Sequence, residues 1–181
     1  MMFFAPPVVP IPDPVIVERE SFYVIRAVDE PGLVQEMKDK GPADTTGNYW
    51  GYTFANQGFG YDTRMEGGVC VLVKPWVHVS INTVYPSWDQ PVHARASAVA
   101  KWTPFYQAMR RHEGEHATFA RNAGAELVTV MRNHPSDETC AKLDAYIQHE
   151  WATISARSAK ANKDLDDRTG HGSTEGVAIS W

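Results

Sequence analysis

The stretch MRRHEGEHATFARNAGAEL, residues 109–127, decides how this chain is read. From Met109, the side chains of His112, His116, Phe119, Ala120, Ala123 and Leu127 recur at steps of three or four. That spacing marks one face of an α-helix, so both histidines belong to the stripe that faces the interior. They frame the pattern H-E-x-x-H, His112 to His116. Positions i and i+4 lie one turn apart on the same face. Two imidazoles so placed can reach one zinc ion at about 2.0–2.1 Å from each nitrogen. Glu113 then stands beside the metal's open position, where it can take a proton from water. The pattern is that of a zinc-dependent hydrolase, most often a peptidase. A solvated helix face rich in His and Glu is the competing reading, and the interior stripe tells against it. Gly114 costs about 1 kcal/mol relative to alanine; a close approach of substrate or backbone would explain it, as would a tolerated defect.

Composition narrows the remaining classes. At 181 residues, with 43% hydrophobic and 22% charged side chains, the chain fits one globular domain plus a tail. A net charge of −5 supplies no basic footprint, so nucleic acid is not an expected partner. No apolar run approaches the length of about 18 residues that a transmembrane segment needs. Met1–Val9 is apolar but lacks a Lys or Arg n-region, and Pro6, Pro7 and Pro10 fall in or beside it. It does not read as a complete secretory signal: either a leader has been removed or the protein is not exported by that route. Residues 1–19 read as a proline-rich, extended lead, and residues 20–181 as a single metallopeptidase-like domain. Cys70 and Cys140 are too far apart for a zinc ribbon or a redox C-x-x-C. Two buried thiols and one disulfide joining the β-rich half to the helical half both remain open.

The expected fold class is α+β. A small antiparallel sheet in the N-terminal half packs on two long antiparallel helices in the C-terminal half, one a zincin-like active-site helix. Glu20–Val28 predicts a strand, and Asp29-Glu30-Pro31 opens a short helix that stops at Lys40-Gly41-Pro42. Tyr49–Tyr61 suits a strand with a bulge or an irregular hairpin, Glu66-Gly67-Gly68 a turn, and Val69–Tyr85 the strongest strand. Pro75 predicts an edge position or a break there. Thr103 and Pro104 suit an N-cap and first-turn pair or a kink, in a helical run from about His93 to Arg132. Ser136 and Asp137 read as the capping residues of a second helix reaching about Asp164.

A catalytic zinc needs a third protein ligand. Phe119 and Asn122 stand where the metzincin pattern has glycine and histidine, so that ligand must return from further along. Antiparallel helices would carry His149 and Glu150 past the motif. His171, between Gly170 and Gly172, is the other candidate, since flanking glycines let backbone come close to a metal. His78, His93 and His134 have no comparable context.

Several further features recur together. They are the opening strand and helix ending in Gly41-Pro42, Gly51-Tyr52-Thr53, and Cys70 with the valine-rich strand to Tyr85-Pro86-Ser87-Trp88. His112 to His116, Cys140, and Asp166-Asp167-Arg168-Thr169-Gly170-His171-Gly172 complete the set. On these, from about Phe22 to Ala178, the chain resembles a bacterial family of predicted secreted zinc-dependent proteases, otherwise a domain of unknown function. Leu165 and Glu175 depart from that family, which has Tyr and Gln there. The resemblance implies an exported, secreted or periplasmic metallopeptidase with a Cys70–Cys140 disulfide. It favours His112, His116 and His171 as ligands of a single Zn2+, with Glu113 as general base. Asp166 reads either as a partner for a histidine or as a solvated carboxylate at the end of a helix. A peptide or protein substrate would lie along a strand edge. The rival expectations are a zinc amidase acting on cell-wall peptide and a non-catalytic zinc-binding or interaction domain.

Overall fold

The structure, a computed structural model, describes residues 10–43, 45 and 47–178. The elements in chain order are β1 (Val15–Ile25), α1 (Glu30–Lys40), β2 (Tyr52–Glu66), β3 (Val69–Trp88), α2 (Ala96–Asn133), β4 (Ser136–Asp137) and α3 (Cys140–Thr169). A 3-10 turn, Ser173–Glu175, follows. The α+β class holds. The sheet order is β1-β3-β2, with β4 paired to β3. The sheet is mixed, not wholly antiparallel as expected. Ser21 bonds Asn82, and the Asp89 N–H donates to the Ile25 carbonyl. Both strands therefore advance in the same sense, and β1 runs parallel to β3 there.

The chain divides into two compact units. The first comprises Met1–Val17, Asn56–Ser80 and Phe119–Ala161. Gly67 and Gly68, with φ of 60° and 90°, make the tight turn from β2 to β3, which side chains with a Cβ disfavour. Cys70, Leu72 and Val77 of β3 pack with Leu127 and Met131 of α2 and Leu143 and Ile147 of α3. Cys70 and Leu72 face that core on even numbers and Val77 on an odd one, so the alternation slips by one between them. Lys74, in the left-handed region at φ 50°, absorbs the extra residue just before Pro75. The proline thus sits neither at an edge nor at a break: β3 is continuous and central.

Ser136 and Asp137 form β4, opposite Val71 and Cys70, instead of capping the second helix. Thr139 takes the capping role, its Oγ1 accepting from the Lys142 N–H at 3.2 Å. That places Cys140 at the head of α3, bonded to Cys70 with the Cα atoms 5.0 Å apart. Within this unit Glu126 pairs with Arg157, and the His134 ring packs at a tilt against Tyr146, so α2 and α3 are antiparallel. Ile11, from the proline-rich lead, joins this core, and its carbonyl accepts from Arg132.

The second unit comprises Glu18–Ala55, Ile81–Thr118 and Asn162–Trp181. Its core gathers Ile25, Leu33, Met37, Tyr85, Phe105 and Met109. Asp29 Oδ1 caps α1 by accepting from the Gly32 N–H at 3.0 Å, and Pro31 occupies the first turn, as the sequence predicts. Pro104 lies inside α2, which begins at Ala96, so Thr103 and Pro104 do not start the helix.

Two glycines on α2 should respond oppositely to alanine. A Cβ at Gly114 meets nothing within 4 Å among the described residues, whereas one at Gly124 falls 2.5 Å from Val79 Cγ2. Gly114→Ala should raise the unfolding free energy by up to about 1 kcal/mol. Gly124→Ala should lower it by about 1–3 kcal/mol through overpacking. Denaturant titration reads both. The disulfide closes a loop with a sequence separation of 70. Replacing both cysteines by serine should therefore cost about 4 kcal/mol in the same titration.

Candidate metal centre

The second unit holds the motif. His112 and His116, one helical turn apart on α2, face Asn162 and Asp166, one turn apart on α3. Three donor atoms converge. His112 Nε2 and His116 Nε2 are 3.3 Å apart. Asp166 Oδ1 lies 3.3 Å from the first and 3.2 Å from the second. Two ligands at 2.0–2.1 Å from a tetrahedral zinc are separated by about 3.3 Å. The triangle has the size of one face of such a tetrahedron. Among the described residues, this is the one group of three His, Cys, Asp or Glu side chains that could hold a metal ion.

The other ring nitrogens are also engaged. His116 Nδ1 lies 2.6 Å from Asn162 Oδ1, and His112 Nδ1 lies 3.0 Å from Glu175 Oε2. Both partners are acceptors, so each Nδ1 carries the proton and, in the neutral ring, each Nε2 presents its lone pair to the triangle. Glu175 is brought there by the turn that ends α3. Thr169, buried, donates from Oγ1 to the Leu165 carbonyl and accepts from the Gly172 N–H at 2.9 Å. Gly170, His171 and Gly172 then all take left-handed backbone, with φ of 57°, 53° and 80°. A Cβ at Gly172 would fall 3.0 Å from His112 Cγ, so only glycine lets this backbone lie against the ring.

Glu113 is 6% exposed, and its Oε2 has no hydrogen-bond partner among the described residues. A buried carboxylate oxygen left unpaired costs on the order of 1–3 kcal/mol, so its retention requires a reason. Burial raises its pKa, against the lowering pull of Thr53 and of the His116 and His112 rings. Thr53 also holds the local backbone, donating from Oγ1 to the Glu113 carbonyl at 3.2 Å. A Cβ at Gly51 would lie 2.9 Å from Met109 Sδ and 3.1 Å from Glu113 Oε1, so the backbone just before β2 passes close to the carboxylate.

The structure thus brings His112, Glu113 and His116 together with Asp166, which the sequence marks only as a histidine's partner. His171 lies outside the triangle, its Nδ1 3.5 Å from Asp166 Oδ1. His149 and Glu150 belong to the other unit and take no part in this group. The register explains the difference. Stepping as far past Cys140 as the motif lies before Asn133 lands near residues 157–161, a turn short of Asn162 and Asp166 and well beyond Glu150. Equal counting from the turn comes within about a turn of them, and the i, i+4 spacing of Asn162 and Asp166, matching that of the two histidines, is the further signal. Glu175 carries no comparable signal, since only the path of the turn brings it to His112.

The fold is that of an α+β protein in which two antiparallel helices bring together His112, His116 and Asp166, a group that could hold a metal ion, with Glu113 beside it. Over residues 20–172 the chain matches DUF922, described as a bacterial protein of unknown function, and it belongs to that family. No curated protein and no solved structure matches it.

Zinc titration by calorimetry separates the roles. Asp166→Ala should weaken zinc binding by more than the roughly 10–100-fold expected of Glu175→Ala, which only orients His112. His149→Ala and Glu150→Ala should leave it unchanged.

Proposed function

We propose that this chain is a zinc-dependent hydrolase of peptide bonds, with His112, His116 and Asp166 as the three protein ligands of one Zn2+ and Glu113 as general base. The observation that carries the reading is the triangle of two Nε2 atoms and one Oδ1, 3.2–3.3 Å on each side, next to Glu113 with its unpartnered Oε2. Zinc held there would acidify water and polarise the scissile carbonyl. Glu113 takes the proton from the attacking water and later passes it to the departing amine, so one carboxylate serves as base and then as acid. Gly51 and Thr53 limit where that carboxylate can go.

The sheet supports an extended peptide as substrate. β2 is an edge strand in the order β1-β3-β2, and Thr53, on its first turn of residues, touches Glu113's backbone. An edge strand carries unpaired N–H and C=O groups that a peptide can match. Phe54 stands exposed on this strand, with the Tyr52 ring 6.3 Å away. The Cys70–Cys140 disulfide supports a site of action outside the cytoplasm, and no described helix is long and apolar enough to cross a membrane.

Glu113→Gln is the deciding variant. It should bind zinc with wild-type stoichiometry and lose hydrolysis by about 10²–10⁴-fold. Protein, peptide and cell-wall peptide substrates are to be compared in the same assay. Cleavage confined to cell-wall peptide would redirect the reading to an amidase. Zinc refused by the wild-type protein would end it.

A further inference from the structure

We propose that His171 is a catalytic hydrogen-bond donor that faces the substrate and stabilises the negative charge growing on the carbonyl oxygen under attack. The inference rests on the metallopeptidase reading above.

Three observations carry it. First, His171 holds a left-handed backbone, φ 53°, between two glycines in the same region. For a residue with a Cβ that conformation is strained, whereas glycine would occupy it freely. Second, the side chain gains no burial in return: it is 62% exposed. A strained residue that contributes nothing to the core points to a role at the site. Third, the ring is not idle on the surface. Its Nδ1 edge lies 3.5 Å from Asp166 Oδ1, the atom that forms one corner of the donor triangle. Tyr49 packs edge-on against it, with ring centroids 5.7 Å apart. The turn that carries His171 is itself anchored, because the His171 N–H donates to the Asp166 carbonyl at 3.0 Å.

His171 is therefore one carboxylate away from the metal donors and still open to solvent, where a bound peptide would arrive. At 3.5 Å His171 Nδ1 forms no hydrogen bond with Asp166, so the neutral ring is free to carry its proton on Nε2, which has no partner among the described residues and can donate to a substrate oxygen. Donors that meet an oxyanion stabilise the transition state more than the ground state, and removing one costs about 10²–10³-fold in kcat.

His171→Gly tests this without disturbing the turn, since glycine relaxes the backbone. The variant should match or exceed the wild-type melting temperature and keep one zinc per chain. On the peptide that the wild type cleaves, kcat should fall by about 10²–10³-fold while KM stays within about threefold. A phosphinate isostere of that peptide, which resembles the tetrahedral state, should lose affinity by a similar factor in calorimetry. Undiminished kcat, or unchanged phosphinate affinity, overturns the proposal and leaves the zinc-hydrolase reading intact. Loss of zinc overturns it too and makes His171 a ligand. A wild-type protein that takes up no zinc, or holds zinc but cleaves no peptide and binds no phosphinate, sinks both ideas together.

Discussion

The structure around the motif depends on one electrostatic constraint: three acceptor atoms are forced to face one another. His112 and His116 each give their Nδ1 proton to an oxygen, of Glu175 and Asn162. Their Nε2 lone pairs and Asp166 Oδ1 then meet at 3.2–3.3 Å. Three electron-rich atoms at that distance repel unless positive charge stands among them. A single divalent ion could satisfy all three atoms at once, which is the physical argument behind the zinc site proposed above.

The same constraint accounts for the end of α3. Without Glu175 the His112 Nδ1 proton would lose its acceptor, and Glu175 reaches it only because the chain reverses within a few residues. Thr169 starts the reversal from a buried position by bonding both Leu165 and Gly172. Gly172 completes it with its backbone against the ring. The pattern Thr-Gly-His-Gly is thus first a device for turning the chain. Gly170 and Gly172 are explained by the turn, but the turn does not explain the histidine between them.

How far the sequence reveals all this varies with the range of the interaction. The α2 stripe is legible because helical periodicity is local, and Met109, His112, Ala120, Ala123 and Leu127 are buried as it predicts. The cap of α1 at Asp29 is legible for the same reason. The slip in β3 is not, because nothing about Lys74 announces that it will take φ 50°. Ser136 and Asp137 have helix-capping chemistry, yet pairing with Val71 and Cys70 claims them for the sheet, a tertiary demand that propensity cannot contain. The third donor lies between these cases. Asp166 is visible as a chemical candidate, and the antiparallel pair is visible as topology, but its register is set by packing along two helices of 38 and 30 residues. An error of one turn there moves the facing residue by four.

Glu113 shows what the arrangement costs the fold. Its carboxylate is buried beside Met109, with Gly51 in contact and one oxygen unpaired. A core built for stability alone would put a leucine or methionine there, since an apolar side chain of similar size leaves nothing to desolvate. Leucine would also complete the stripe, because Met109 and Phe105 already surround that part of the helix with apolar surface. The sequence instead keeps an acid in a position that destabilises it, and supports its backbone with Thr53, itself bonded to Thr83. Groups held in this way, buried, oriented and incompletely bonded, are poised to bond something that is not part of the chain. The two imidazoles and Asp166 make the same argument from charge, and the four residues are intelligible together only as one site.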